Sequence, residues 1–104
     1  MHTITAEFDV IPGKEAEAEA AIGKLVTAVE AGEPGAVSYI WHRGLKDPGH
    51  ILVFEVYRDD EALQAHRSTP HLAEFQKCFA PGSALFDTAS VKIARYARFA
   101  AIQR

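Results

Sequence analysis

Ile51-Leu52-Val53-Phe54-Glu55-Val56-Tyr57 sets the architecture of the whole chain. It has no Gly or Pro and is dense in β-branched and aromatic residues, so it reads as a strand running from His50 to Tyr57. A strand with one wet face alternates apolar and polar residues; this one is apolar at nearly every position, so both of its faces need cover. Glu55 is the only charge in it. A carboxylate in a central strand is costly to bury unless it is paired or protonated.

Immediately upstream, Ala36 to Arg43 is a second strand, joined to the first through the turn-rich Gly44-Leu45-Lys46-Asp47-Pro48-Gly49. A symmetric hairpin sets Trp41 opposite Leu52 and Tyr39 opposite Phe54, leaving Ser38, Ile40, His42, Val53, Glu55 and Tyr57 on the other face. A slip of one residue would exchange the faces. Further upstream, Thr3 to Ile11 alternates as a strand and ends at Pro12-Gly13. Lys14 to Ala31 is helical, with the apolar stripe Ala18, Ile22, Leu25, Val26 and Val29. Gly32 is placed to cap it, and Pro34 prevents its continuation.

Downstream, Asp59 or Asp60 caps a short helix that carries His66. Ser68-Thr69-Pro70 interrupts it, and a new helix starts with Thr69 as N-cap and Pro70 in the first position. Its apolar side is Leu72, Phe75, Cys78 and Phe79. Leu85 and Phe86 fall in a stretch with no readable element, and Ser90 to Phe99 forms a last strand. The order β-α-β-β-α-β is the ferredoxin-like α+β arrangement, an antiparallel sheet with helices on one face, within one domain over residues 1–104. The simplest cover for the second face is another copy of the chain packed sheet on sheet. A ligand pocket, or the residues around Phe86, would be the alternatives.

The 104 residues leave no room for a separate cofactor-binding domain. A net charge of −3 disfavours nucleic-acid binding. No apolar run approaches a membrane span, and Met1-His2-Thr3-Ile4 does not open a signal peptide, so a cytoplasmic protein is expected. The single cysteine, Cys78, excludes an internal disulfide and any multi-cysteine metal site. No His pair has the i,i+4 spacing of helical ligands, so no metal is expected. The spacing Gly44-x-x-x-x-Gly49 lacks the Lys-Ser/Thr of a phosphate loop and joins two strands.

Several segments in order resemble the antibiotic biosynthesis monooxygenase family: Pro12-Gly13-Lys14-Glu15, Glu33-Pro34-Gly35 followed by Tyr39, Phe54-Glu55-Val56-Tyr57, Ala62-Leu63-Gln64-Ala65-His66, and Ser68-Thr69-Pro70-His71-Leu72 with Phe75. The resemblance implies a dimeric α+β barrel of two ferredoxin-like subunits. In some members it implies a cofactor-free oxygenase that converts phenols or quinols to quinones with O2. Relatives also include haem-degrading enzymes and isomerases, and fold alone does not choose among them. This chain contains no asparagine. Haem degraders rely on one in the first strand, where Thr3, Thr5 and Glu7 stand here, and some quinone-forming members also use one. Tyr57 stands where the family often has Trp.

A cofactor-free oxygenase must deprotonate its phenol in a site that excludes water. The aromatic residues Trp41, Phe54, Tyr57, Phe75 and Phe79 are candidates to line the slot. His66 and His71 are candidate bases, because imidazole titrates nearest neutrality. They lie five apart, and the Ser-Thr-Pro break lets both approach one place. Each could equally be a packed helix-end histidine. Glu55 could orient a histidine or bind a substrate hydroxyl, or it could be a structurally paired carboxylate. The expectation is therefore a homodimeric, cofactor-independent monooxygenase for a flat phenol or quinol, with no nucleic-acid or membrane partner. An isomerase or other non-redox enzyme, or a non-catalytic small-molecule-binding dimer, remains the alternative.

Overall fold

A computed structural model describes all 104 residues. The elements are β1 (His2–Asp9), α1 (Glu15–Gly32), β2 (Ala36–Arg43), β3 (His50–Tyr57), α2 (Asp60–Arg67), α3 (Pro70–Gln76) and β4 (Lys92–Tyr96), with 3-10 turns at Lys77–Phe79 and Thr88–Ser90. The sheet order is β2-β3-β1-β4 and every neighbouring pair is antiparallel. This is the ferredoxin-like α+β fold. No helix is long and apolar enough to cross a membrane.

The start and stop signals act largely through side chains. Asp59 caps α2 by accepting from the Ala62 N–H at 2.8 Å. Thr69 caps α3 by accepting from the Leu72 N–H, with Pro70 next. The same Thr69 hydroxyl donates to the His66 carbonyl at 2.8 Å. One residue thus stitches the end of α2 to the start of α3. Gly32 does not cap α1 as expected. It is still helical, and Glu33 takes the cap position, its N–H bonded to the Val29 carbonyl at 2.9 Å. No left-handed residue is needed, because the chain turns through Pro34 and Gly35 instead. A side chain on Gly35 would bring its Cβ to 2.5 Å from the Ala62 Cβ. The glycine is what lets this turn lie against α2.

The hairpin register differs from the symmetric expectation by the one-residue slip. Trp41 faces Val53 and Tyr39 faces Glu55, while Ile40 faces Phe54. An irregularity between Ala36 and Ser38 accompanies the shift. Because side chains alternate with period two, the slip exchanges the faces of β3 relative to β2. Tyr39, Trp41, Val53 and Glu55 therefore lie under the helices, and Ile40, Leu52 and Phe54 lie on the open side. Phe86, in the unassigned stretch, is fully buried and bridges Val10. Its ring packs 5.0 Å from both Phe8 and Phe79, and burial of such a ring contributes roughly 2–3 kcal/mol. The last strand is shorter than expected, ending at Tyr96.

The open sheet face stays apolar in a single chain. Ile40 is 49% exposed and Tyr96 57%, beside the part-buried Leu52 and Phe54.

Candidate functional site

A cavity of about 370 Å³ lies between the sheet and the α2–α3 layer. Its walls are mainly apolar: Ile4, Ala6, Phe8 and Val53 from the sheet, Leu63, Leu72, Phe75 and Phe79 from the helical side, and Val91 and Ile93 at the β4 edge. Tyr39 and Trp41 line it from β2, and Glu55, His66 and Arg67 give it a polar end. A volume of this size and character suits one small flat molecule.

The polar end is a chain of buried contacts. The Tyr57 hydroxyl donates to Glu55 Oε1 at 2.5 Å. The same carboxylate oxygen is 3.9 Å from His66 Nε2. His66 Nδ1 donates to Glu33 Oε1 at 2.8 Å, and His71 Nε2 donates to Glu33 Oε2 at 2.5 Å. The His66 and Glu33 side chains are only 5% and 6% exposed. The His66 ring sits between Tyr39 and Tyr57, at 5.4 and 5.1 Å between ring centres. Burial raises the Glu55 carboxyl above the ordinary carboxylate range, and the Tyr57 hydrogen bond only partly offsets this. Burial, and then the nearby Glu55, push the Tyr39 and Tyr57 phenols upward, so both stay neutral donors. The Trp41 indole N–H is buried without a hydrogen-bond partner.

The local sequence explains this convergence. Glu55 points under the helices because the slipped register sets it opposite Tyr39. His66 is in the last turn of α2 and His71 in the first turn of α3. The Thr69 bridge turns both imidazoles toward the end of α1, where Glu33 waits.

Of the residues singled out from sequence, Glu55, His66, Trp41, Phe75 and Phe79 line the cavity. Tyr57 touches it only through Glu55. His71 does not reach this cavity. It lines a second one, of about 190 Å³ between α1 and α3, beside Lys24, Glu74 and Cys78. Phe54 is on the opposite side of the sheet, because it alternates with Val53 and Glu55. Glu33 and Tyr39 are the site residues that sequence reasoning did not pick for chemistry. Glu33 gave no signal beyond standing before Pro34-Gly35, and periodicity does not say that a helix-end glutamate is buried. No group of three or more His, Cys, Asp or Glu side chains could hold a metal ion.

A ferredoxin-like sheet over an apolar cavity with an imidazole–carboxylate end defines a class of small-molecule-binding α+β proteins. The family model for antibiotic biosynthesis monooxygenase matches residues 1–77, and the chain belongs to that family. A Pseudomonas aeruginosa protein of known structure is 30% identical, with 95% of this chain and 94% of that one covered at a TM-score of 0.80. A Caulobacter crescentus protein, itself provisionally described as an antibiotic biosynthesis monooxygenase, is 25% identical over 95% of this chain and 90% of its own, at 0.84. A Mycobacterium tuberculosis protein shares the fold at 24% identity, 98% coverage of both chains and a TM-score of 0.80. No curated protein matches the chain. Membership supports a general monooxygenase-like function.

Proposed function

We propose that this protein is a homodimeric, cofactor-independent monooxygenase that oxidises a flat phenol or quinol with O2. The observation that carries the reading is the placement of Glu55 and His66 together at a polar end of a mainly apolar cavity of about 370 Å³. His66, as base, takes the proton of the substrate hydroxyl, with Glu55 beside it to orient that hydroxyl. The phenolate gives an electron to O2, and the resulting pair joins at a ring C–H carbon. The proton returns to the peroxide, and loss of water leaves a carbonyl. One oxygen atom enters the product and the other leaves as water; the four electrons come from the ring. Trp41, Phe75 and Phe79 hold the ring and exclude water.

The dimer is proposed from the open sheet face, whose Ile40, Leu52, Phe54 and Tyr96 match a second copy of themselves. The test is O2 uptake with a panel of hydroquinones and phenols, without added flavin or metal. Turnover is expected in the wild type and a loss of at least 100-fold in His66→Ala. Isomerised product without O2 uptake would instead establish a non-redox enzyme, and absence of any turnover would leave a binding protein. Sedimentation at micromolar concentration should give the dimer mass; a monomer would remove that part of the reading.

A further inference from the structure

We infer that Glu33 is a positioning residue that fixes the tautomer of His66, with His71 as its second anchor. An ionised carboxylate only accepts, so each imidazole nitrogen that meets it must carry the hydrogen. Glu33 meets His66 through Nδ1 and His71 through Nε2. In a neutral imidazole one nitrogen donates and the other is a lone pair. His66 is therefore held with its lone pair on Nε2, the nitrogen that points toward Glu55 and the cavity. His71 is held with its free nitrogen on Nδ1.

Both carboxylate oxygens are engaged, and this has a mechanical consequence. A carboxylate bonded through one oxygen can rotate about its last torsion. Glu33 is pinned at both oxygens, by the end of α2 on one side and the start of α3 on the other. The Thr69 bridge fixes the distance between those two ends. The turn through Pro34 and Gly35 fixes the third side, because Gly35 packs directly on Ala62 of α2. Water has little access to the pair, with His66 and Glu33 side chains 5% and 6% exposed, so no solvent molecule substitutes for the carboxylate. When His66 accepts a proton at Nε2, the resulting imidazolium already faces an anion at 2.8 Å, and nothing has to move. His71, at 23% exposure and outside the main cavity, holds Glu33 rather than touching substrate.

The inference rests on the proposed function only for its effect on turnover; the tautomer itself is independent of any substrate. The experiment is 15N-edited NMR of the imidazoles at a pH where the His66 ring is neutral. Wild-type His66 should show hydrogen on Nδ1 and a lone pair on Nε2. In Glu33→Gln one imidazole meets the amide oxygen and the other its N–H, so one hydrogen should move, from Nδ1 to Nε2 on His66 or from Nε2 to Nδ1 on His71. His71→Ala supplies a second reading should the Gln variant fold poorly. It keeps the Glu33–His66 bond, so hydrogen should stay on Nδ1, while the exchange of that hydrogen with solvent should quicken. Where the wild type turns over a quinol and the hydrogen that moves is that of His66, Glu33→Gln should lower kcat by about 10²–10⁴-fold with KM little changed, the mark of a base held in the wrong tautomer. Hydrogen on Nε2 of His66 in the wild type, or both wild-type tautomers kept in a folded Glu33→Gln protein, would overturn the inference. The expected tautomers without turnover on any quinol would leave it standing and remove the monooxygenase reading.

Discussion

The molecule holds two histidine–carboxylate clusters, and they are built in inverse proportion. Under the helices, one carboxylate, Glu33, serves two imidazoles, His66 and His71. On the open sheet face, one imidazole, His50, serves two carboxylates: Nδ1 reaches Asp9 at 2.7 Å and Nε2 reaches Glu7 at 2.9 Å. The distances are alike and the surroundings are not. The His50 ring is 38% exposed, so water screens its charges and competes for its hydrogen bonds. Around Glu33 the protein has displaced the water, so each contact must be made by a side chain or is lost outright. The comparison teaches that hydrogen-bond length says little about energetic weight, and burial says a great deal.

Removal of the shared carboxylate should have the greatest effect on stability. Glu33→Ala leaves two imidazoles without their acceptor in a space that water hardly enters. It should cost about 3 kcal/mol, because two donors shielded from water each lose their acceptor. Glu7→Ala, which takes away one of two exposed partners, should cost well under about 1 kcal/mol. Urea denaturation of the two variants beside the wild type checks both values. Equal losses would mean that burial does not set the weight of these contacts.

Glu55 is the buried carboxylate inside the cavity itself. Its carboxyl is raised, by burial first. The folded state therefore holds that proton at a pH where the unfolded chain has released it. Below the ordinary glutamate range both states are protonated and nothing depends on pH. As pH rises from there to the folded-state value, the wild type loses stability, and above that value the loss is constant. Glu55→Gln keeps an acceptor for the Tyr57 hydroxyl and removes the titration. Relative to wild type it should gain stability as pH rises through that window, by less than the Glu33→Ala loss, while its turnover falls. Denaturation midpoints from about pH 4 to 8, read beside O2 uptake, separate the two roles. A stability difference that is flat with pH would mean that Glu55 is ionised without penalty.

Much of this arrangement was legible from residues alone. The element order followed from strand alternation in Thr3 to Val10, the helical stripe ending at Val29, and the capping chemistry at Asp59 and Thr69-Pro70. All of these are local signals, and each acts within a few residues of itself. Glu55 stood out because one charge in an apolar strand demands a partner. What escaped was non-local. The register of β2 against β3 is set where the Gly44 N–H bonds the His50 carbonyl and pairing starts at Arg43–Ile51, a cross-strand choice one residue away from a symmetric loop, so Phe54 lies on the side away from the cavity. Glu33 escaped because its burial comes from three separate segments closing over a helix end, and none of those contacts leaves a period in the sequence. The role of Phe86 was hidden likewise, since a single β-bridge to Val10 places it.

The smallest expected effect belongs to His50, and it tests the exposed half of the comparison on its own. Hydrogen bonds to Asp9, and then to Glu7, raise the imidazole above its ordinary value. A raised histidine adds stability that is fully present below the unfolded value and disappears as pH climbs through the folded one. His50→Ala should therefore be less stable than wild type near pH 6 by on the order of 0.5 kcal/mol, and the two should converge near pH 9. Because the group is exposed, 0.5 M salt should shrink even the acidic-side difference, the Debye length there being only about 4 Å. Paired urea titrations at two pH values and two salt concentrations supply the measurement. A difference that survives both high pH and high salt would show that His50 acts through packing rather than charge, and the contrast with Glu33 would then rest on burial of carbon rather than of charge.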